Sequence, residues 1–369
     1  MTTSSKKNRV IFLDLIRAFA VIMMVQGHTI DVLLHTSHRD LTSPLYSIWW
    51  FNRGMTAPIF LFTSGTVFNY LFQLRSEPFW HNPRVWKGVK RFLLLITIGY
   101  LLKYPTREFF NFTYVSDYRW QLFFNVDVLQ LIASGILAIM ILNYLAELFN
   151  QKDTIVFGIA AVLCIIIYPF SNGIYFEDYM PRFLSAYMSS TIRFHQGAIG
   201  SNFPLFPWLC YPFCGAILGS FLAKNPLAFK TAEFSKKLLV WGAGFVFASL
   251  IGDVIEILVT GKSNYWTTSP NLILVRIGYV LLLTALFAYL ARKMVTIPKI
   301  VILLGRNTLL IYVVHLLILY GSPWFLGVEH FWTRKFDVFT TIFLALEMIG
   351  AMCLMVVVLN KLNVRNKPL

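Results

Sequence analysis

The sequence predicts an all-α, polytopic integral membrane protein with about ten transmembrane helices. Hydrophobic residues make up 57% of the 369 residues and charged residues only 13%, and the mean hydropathy is +0.65. Soluble domains have a much more polar composition than this. At roughly 20 residues per span, the length suits about ten crossings of a ~30 Å hydrocarbon layer. Little chain is left for a soluble domain, so residues 1–369 are predicted to form a single transmembrane domain.

Apolar runs locate the predicted spans, and two of these, the third and the fifth, are short. The N-terminal run is predicted to be a retained helix, because Asp14 and Arg17 interrupt it and no small-residue cleavage site follows. The spans are predicted at 10–33, 54–74, 91–104, 125–148, 154–170, 206–223, 238–260, 270–291, 300–320 and 336–360.

The basic residues give the helices a direction. The net charge is +15, which in so apolar a chain indicates basic cytoplasmic loops and not a nucleic-acid partner. With the N-terminus inside, 20 of the 32 Lys and Arg residues fall on inner segments and ten on outer segments. This asymmetry predicts cytoplasmic termini for a multi-pass protein of a cell membrane, and the membrane that we expect is the bacterial inner membrane. The four cysteines lie in or beside apolar runs without zinc-ligand partners, so no metal site is predicted.

The first span carries the most specific pattern of ionisable residues. Asp14 and Arg17 are three residues apart and can pair along a helix. Arg17 and His28 are eleven residues apart, so they share one helix face while differing in depth by roughly 16 Å. A histidine can take a proton from an alcohol or amine and return one to a leaving group, as acyl transfer requires. The alternatives are that Asp14 and Arg17 anchor the helix and that His28 is a hydrogen-bonded packing residue.

Several motifs, in order along the chain, resemble a known family. The opening Leu13-Asp14-x-x-Arg17-Ala-x-Ala, with Arg-x10-His ending at His28, is similar to the first helix of the membrane acyltransferase clan, which includes acyltransferase-3 proteins and bacterial relatives of heparan-α-glucosaminide N-acetyltransferase. The further matching stretches are Ala57-Pro58-Ile-Phe-Leu-Phe-Thr63-Ser64-Gly65, Val128-Leu129-Gln130, Phe203-Pro-Leu-Phe-Pro207-Trp208-Leu-x-Tyr211 with Gly215 and Gly219, and Leu304-Gly305-Arg306-Asn307-Thr308-Leu-x-Ile-Tyr312-x-x-His315.

The resemblance implies a transmembrane acyltransferase. Such a protein takes an acyl group, commonly acetyl, from a cytoplasmic acyl-CoA co-substrate to a sugar hydroxyl or amine on the outer side, in a glycan or a lipid-linked sugar, with no tightly bound cofactor. By the same resemblance His28 is the acid/base or acyl-relay group, supported by Arg17 and Asp14. The heparan enzyme looks to have Asn at the position of His28 and its own key histidine further along the chain. Near that later position this chain has only His35 and His38, which are out of strict register. Whether His28 acts alone or with His315, His35 or His38 stays open.

Other candidates for substrate or donor binding lie at the ends and centres of the spans. Basic residues with a tryptophan between them precede the third span. They can bind the phosphates of coenzyme A, and the alternative is that they form an inner loop whose positive charge orients the protein in the membrane. Arg276 is predicted to pair within the membrane with Asp253 and Glu256, and Asp127 to share a cavity with Arg17. The candidate binding residues are Asn52, Arg53, Ser64, Arg84, Lys87, Arg91, Gln130, Trp208, Arg306, Asn307 and His315.

Two other classes of function compete with acyl transfer. Intramembrane charges also mark the substrate paths of transporters, so a flippase of a lipid-linked sugar is the main alternative. A non-catalytic membrane scaffold is the third. The sequence has no visible inverted repeat, which weighs against transport.

Overall fold

The computed structural model describes residues 10–171, 173–190, 200–294 and 296–365, and the fold is almost entirely helical. The basic residues Lys6, Lys7, Arg9, Arg193 and Lys367, used to orient the chain, lie outside the described residues. The helices are α1 (Ile11–Leu33), α2 (Pro44–Gly54), α3 (Thr56–Gln73), α4 (Pro83–Leu102), α5 (Asp117–Phe124), α6 (Val128–Leu148), α7 (Asp153–Ser171), α8 (Arg182–Met188), α9 (Leu205–Trp208), α10 (Cys210–Lys224), α11 (Ala232–Thr260), α12 (Pro270–Lys293), α13 (Lys299–Arg306), α14 (Thr308–Tyr320), α15 (Val328–Trp332) and α16 (Val338–Arg365).

Strands β1 (Gly321–Ser322) and β2 (Phe325–Leu326) form a short antiparallel hairpin after α14. Four single 3₁₀ turns connect other elements, at Thr36–His38, Phe79–His81, Phe176–Asp178 and Ala228–Lys230.

Helix α1 is the centre of the bundle. It contacts α3, α12, α13, α14 and α16, and its apolar side chains are buried around most of its circumference. By contrast, α7, α11 and α16 bury little of their apolar surface and form the outside of the bundle, as expected of helices that face lipid. The residues with the most specific chemistry in the sequence are therefore on one of the most enclosed helices.

Each predicted span overlaps one helix or two consecutive helices, although the number that cross a membrane stays a prediction. Within the described residues, seven helices are long and apolar enough to cross, or eight if α13 and α14, which meet at 76°, form one bent span. Helices α3 and α4 fall outside that group because α3 carries several polar residues and α4 begins with four cations. The ten predicted spans include both of them.

Helix α4 begins eight residues before the predicted start of the third span. The helix begins at Pro83 and not at residue 91, because the Asn82 side chain caps it by accepting a hydrogen bond from the Arg84 N–H, and Pro83 occupies the first turn. The basic stretch predicted as an inner loop is therefore the first half of α4. This change places Arg91 on a helix that packs against α6.

Helices α3 and α10 pack with their backbones in contact. A Cβ atom added at Gly65 would collide with the carbonyl of Pro212, and one added at Gly215 would collide with the carbonyl of Phe62. Gly219 has the same relation to Thr66. Small residues at these positions let two membrane helices approach closely.

Candidate active site

A cavity of about 690 Å³ lies beside α1 and is enclosed by residues of α3, α4, α6, α12 and α14. Its lining is rich in charged and polar side chains, although the surrounding helices are apolar. The polar, charged and tryptophan side chains that line it are Arg17, His28, Asp31, Arg53, Thr56, Ser64, Arg91, Lys103, Asp127, Gln130, Asn202, Trp208, Arg276, Thr308, Tyr312 and Tyr320.

Two arginines define one end of the cavity. Arg17 lies six residues from the start of α1 and donates from Nη2 to the hydroxyl of Thr308, 3.0 Å away. Arg91, on α4, also lines the cavity. Neither guanidinium forms an ion pair with a carboxylate of the described ranges. Two cations without such partners are available to bind an anionic ligand.

His28 lies near the opposite end of the cavity. Its Nδ1 atom is 3.1 Å from the hydroxyl oxygen of Tyr320. The ring of His315 packs against it with a centroid separation of 5.4 Å. His315 itself is buried, and its Nδ1 lies 2.7 Å from the carbonyl oxygen of Ile311. An imidazole at a cavity wall, held by a partner on one nitrogen, is suited to proton transfer through the other.

Ion pairs surround the His28 end of the cavity. The carboxylate of Asp31 pairs with Arg53 and with Arg39, the latter at 3.5 Å. Lys103 at the end of α4 pairs with Asp127 at 2.8 Å. The Asp31–Arg53 pair joins α1 to α2 and the Lys103–Asp127 pair joins α4 to α6, so these pairs stabilise the helix ends around the cavity as well as set its charge.

The motif that begins at Leu304 and contains Gly305 has a structural explanation. A Cβ atom at Gly305 would lie 2.5 Å from the backbone oxygen of Asp14, so only glycine lets α13 meet α1 there. Asn307 stands between α13 and α14 and donates from its side chain to the carbonyl of Leu303, 2.8 Å away. Thr308 then supplies the hydroxyl that binds Arg17. The motif therefore forms the bend and directs Thr308 into the cavity.

Half of the predicted site residues line the cavity. Those that do are Arg17, His28, Arg53, Ser64, Arg91, Gln130 and Trp208. Those that do not are Asp14, Asn52, Arg84, Lys87, Arg306, Asn307 and His315. Of these, His315 packs against the ring of His28, the predicted catalytic residue. His35 and His38 are exposed, beyond α1, with their rings 6.4 Å apart. Asn52 accepts a hydrogen bond from Tyr279 and so joins α2 to α12.

Gln130 has a second, structural contact. Its side-chain oxygen accepts a hydrogen bond from the backbone N–H of Asp127 at 3.3 Å, which completes a capping box at the start of α6. Its buried Nε2 has no hydrogen-bond partner in the described structure. That amide nitrogen is available to donate to a ligand in the cavity.

Asp14 and Arg17 do not form the direct ion pair that their spacing allows, although the Asp14 carboxylate acts on the Arg17 guanidinium as a nearby charge. Arg17 turns toward the cavity and Thr308, while the backbone of Asp14 packs against Gly305. A spacing of three residues makes a pair possible, but a partner on another helix is preferred here.

The predicted pairing of Arg276 with Asp253 and Glu256 is also wrong. Arg276 lies over the ring of Trp208, 5.7 Å from its centroid, and lines the cavity. Asp253 accepts instead from Ser263 at 2.6 Å, and Glu256 from Asn271 at 3.0 Å. The two acids lie at the end of α11 and hold the connection to α12, which leaves Arg276 as a cavity cation.

Sequence reasoning did not single out Asp31, Thr308 or Tyr320 as functional residues. Asp31 is three residues after His28, so the helical period that groups Arg17 with His28 also reaches it. Thr308 and Tyr320 lie at the two ends of α14 and meet α1 only in the folded chain. No local pattern signals those two contacts.

A smaller pocket of about 480 Å³ adjoins the His28 end and shares Tyr320 with the cavity. It is lined by the hairpin and by α15, including Glu329. Partial burial raises the pKa of the Glu329 carboxyl above its ordinary value.

These features define a class of protein: a polytopic helical membrane protein whose cavity joins two arginines near one end to a histidine near the other. A family model described as heparan-alpha-glucosaminide N-acetyltransferase, catalytic, matches residues 9–249. The chain belongs to this family, which confirms the resemblance to the membrane acyltransferases and makes it a transmembrane acetyltransferase. No curated protein matches the sequence significantly.

Proposed function

We propose that this chain transfers an acetyl group from cytoplasmic acetyl-CoA to a hydroxyl or amine of a sugar on the outer side of a bacterial inner membrane. The observation that carries the proposal is the single cavity that contains both Arg17 with Arg91 and, on the same face of α1, His28. Eleven residues of helix separate Arg17 from His28, a rise of roughly 16 Å. Donor and acceptor can therefore approach one cavity from opposite ends.

Arg17 and Arg91 are the donor end in this proposal. Guanidinium groups bind phosphate oxygens through paired N–H donors, and coenzyme A is rich in phosphate. With the phosphates at the arginines, the flexible arm of coenzyme A carries the thioester toward His28. Arg84 and Lys87, on the same helix but outside the cavity, lie closer to its start and can add to the attraction of an anionic donor.

His28 is the base. Its Nε2 takes the proton from the acceptor hydroxyl or amine, whose lone pair forms a bond to the thioester carbonyl carbon. The carbon–sulfur bond then breaks, and the coenzyme A thiolate receives the proton from His28. Atoms and charge balance without a metal or a further cofactor, and the product is an acetylated sugar.

The test uses purified protein in lipid nanodiscs with radiolabelled acetyl-CoA and a panel of amino and neutral sugars. We expect label on the sugar, and we expect His28→Ala to lower the rate by about 10²–10⁴-fold, the usual contribution of general acid–base catalysis. His81→Ala is the matched control, because His81 is an exposed imidazole outside the cavity. Full transfer by His28→Ala would overturn the role of His28.

Transport without chemistry is the alternative, and the bend between α13 and α14 beside the cavity is the observation in its favour. Transporters place broken helices at the substrate site, usually as a pair in two related repeats. Only one bent pair is found in the described part of the chain. Movement of a lipid-linked sugar across proteoliposomes with no acetylated product would favour transport over transfer.

A further inference from the structure

The ring of His28 contacts two side chains of α14. Its Nδ1 lies 3.1 Å from the Tyr320 hydroxyl, and the two rings are nearly perpendicular at 86°. The ring of His315 also packs against it, at an interplanar angle of 45°. Both neighbours lie beyond residues 9–249, the range of the family match. The surroundings of His28 are therefore built by a part of the chain that the match does not cover.

The proton on the neutral ring of His315 can be assigned from its contacts. Its Nδ1 lies 2.7 Å from the carbonyl oxygen of Ile311. A carbonyl oxygen only accepts, so the proton is on Nδ1 and the lone pair is on Nε2. That Nε2 is buried with no hydrogen-bond partner in the described structure. His315 is thus fixed in one orientation and presents a rigid surface to His28.

The contact with Tyr320 decides which nitrogen of His28 can act as the base. Since Nδ1 is occupied by the Tyr320 hydroxyl, substrate can be reached only through Nε2. For Nε2 to accept a proton, the neutral ring must carry its own proton on Nδ1. The Tyr320 oxygen must then be the acceptor of that N–H, which is the role of the orienting group in catalytic histidine sites.

We propose that Tyr320 is a positioning residue that accepts the hydrogen bond of His28 Nδ1–H and so keeps the lone pair of Nε2 directed to substrate, while His315 prevents rotation of the ring. The inference rests on the proposed function, in which His28 is the base. When Nε2 takes the proton of the acceptor, the hydrogen bond from Nδ1 to Tyr320 persists and orients the charged ring. The proton then leaves from Nε2 to the thiolate.

The backbone after Tyr320 fixes its place. Gly321 has φ +76°, a left-handed conformation that favours glycine, and ends α14. A Cβ atom there would lie 2.5 Å from the backbone nitrogen of Gly327, so the hairpin closes tightly against it. Tyr320 is therefore the last residue of a helix whose end is set by backbone contacts.

The first experiment is Tyr320→Phe, which removes only the hydroxyl. We expect kcat for acetyl transfer to fall about 10–100-fold, as for other groups that orient a histidine, with the KM values for acetyl-CoA and sugar changed less than about twofold because the cavity keeps its shape. Tyr265→Phe is the matched control, since it removes a tyrosine hydroxyl bonded to Ser249 at 2.9 Å outside the cavity. An unchanged kcat in Tyr320→Phe would overturn the proposal.

The second experiment tests the direction of the hydrogen bond. Replacing Tyr320 by 3-fluorotyrosine makes the phenol oxygen a weaker acceptor and its O–H a stronger donor. We expect kcat to fall, because the oxygen accepts from His28. A kcat that rises or stays the same would mean that Tyr320 donates, and the proposal would be wrong.

A third readout does not need acetyl transfer. Diethyl pyrocarbonate modifies an imidazole nitrogen that carries a lone pair, and mass spectrometry follows its reaction with His28. We expect slower modification in Tyr320→Phe than in Tyr265→Phe. Equal rates would overturn the positioning role. Slower modification in a protein that acetylates no sugar would leave the role of Tyr320 intact and contradict the proposed function instead.

Discussion

At the residue scale, the helical period accounts for what the sequence could and could not predict about the cavity. Arg17 and His28 share a face because eleven residues are close to three turns, and both line the cavity. Their partners Thr308 and Tyr320 are 291 and 292 residues away in the chain. No spacing rule reports such contacts, so they had to come from the structure.

The residue-scale prediction concerns the donor end. We expect Arg91→Gln to raise the KM for acetyl-CoA about tenfold or more, because losing a hydrogen bond to a charged group costs about 1.5–3 kcal/mol and about 1.4 kcal/mol is a factor of ten. The KM for the sugar should stay close to that of the wild-type protein. Initial rates at varied acetyl-CoA concentrations measure both.

Lys90→Gln is the control for this change. Lys90 is the adjacent cation on α4, but it lies over the ring of Trp86 at 5.3 Å and does not line the cavity. Equal increases in KM for the two variants would mean that the general positive charge of α4, and not a contact from Arg91, attracts the donor.

At the element scale, the helices were predictable and their contacts only partly so. Apolar runs located every long helix, but the close contact of α3 with α10 through Gly65 and Gly215 came from the structure. The start of α4 was not found, since its first half is basic and reads as a loop until Asn82 is recognised as a cap. The bend between α13 and α14 was not predicted either, because the Gly-Arg-Asn-Thr stretch at 305–308 only briefly interrupts the apolar run at 300–320.

The element-scale prediction uses the contact between α3 and α10. We expect Gly215→Ala to destabilise the protein by about 1–3 kcal/mol, since the added methyl group collides with backbone that cannot move aside as a side chain can. The apparent melting temperature in detergent, followed by intrinsic tryptophan fluorescence, should fall by several degrees.

Gly244→Ala on α11 is the matched substitution, because nothing lies within 4 Å of a Cβ atom at Gly244. It should leave the melting temperature unchanged or raise it slightly, as alanine is the better helix former. The close packing of α3 on α10 would be contradicted if both alanine variants melted at the wild-type temperature.

At the scale of the whole molecule, function depends on how many helices cross the membrane. The donor reaches Arg91 from the cytoplasm only if α4 crosses with its first residues inside, and α3 and α4 are the two helices whose composition leaves this open. Both have lengths close to what a ~30 Å layer requires, at 18 and 20 residues. Both helices also form part of the cavity wall, because Ser64 of α3 and Arg91 of α4 line the cavity.

The connection between α3 and α4 therefore decides the topology, and single cysteines can place it. With α1, α3 and α4 all crossing, His38→Cys and Tyr114→Cys lie outside and His81→Cys lies inside, and all three positions are exposed. We expect a membrane-impermeant maleimide to label residues 38 and 114 in intact cells but residue 81 only after permeabilisation. The unsubstituted chain gives the background, since Cys164 and Cys210 are buried and Cys214 and Cys353 are partly so. Labelling of all three positions in intact cells would show that α3 and α4 do not cross, which would put Arg91 on the acceptor side and rule out delivery of the donor from the cytoplasm.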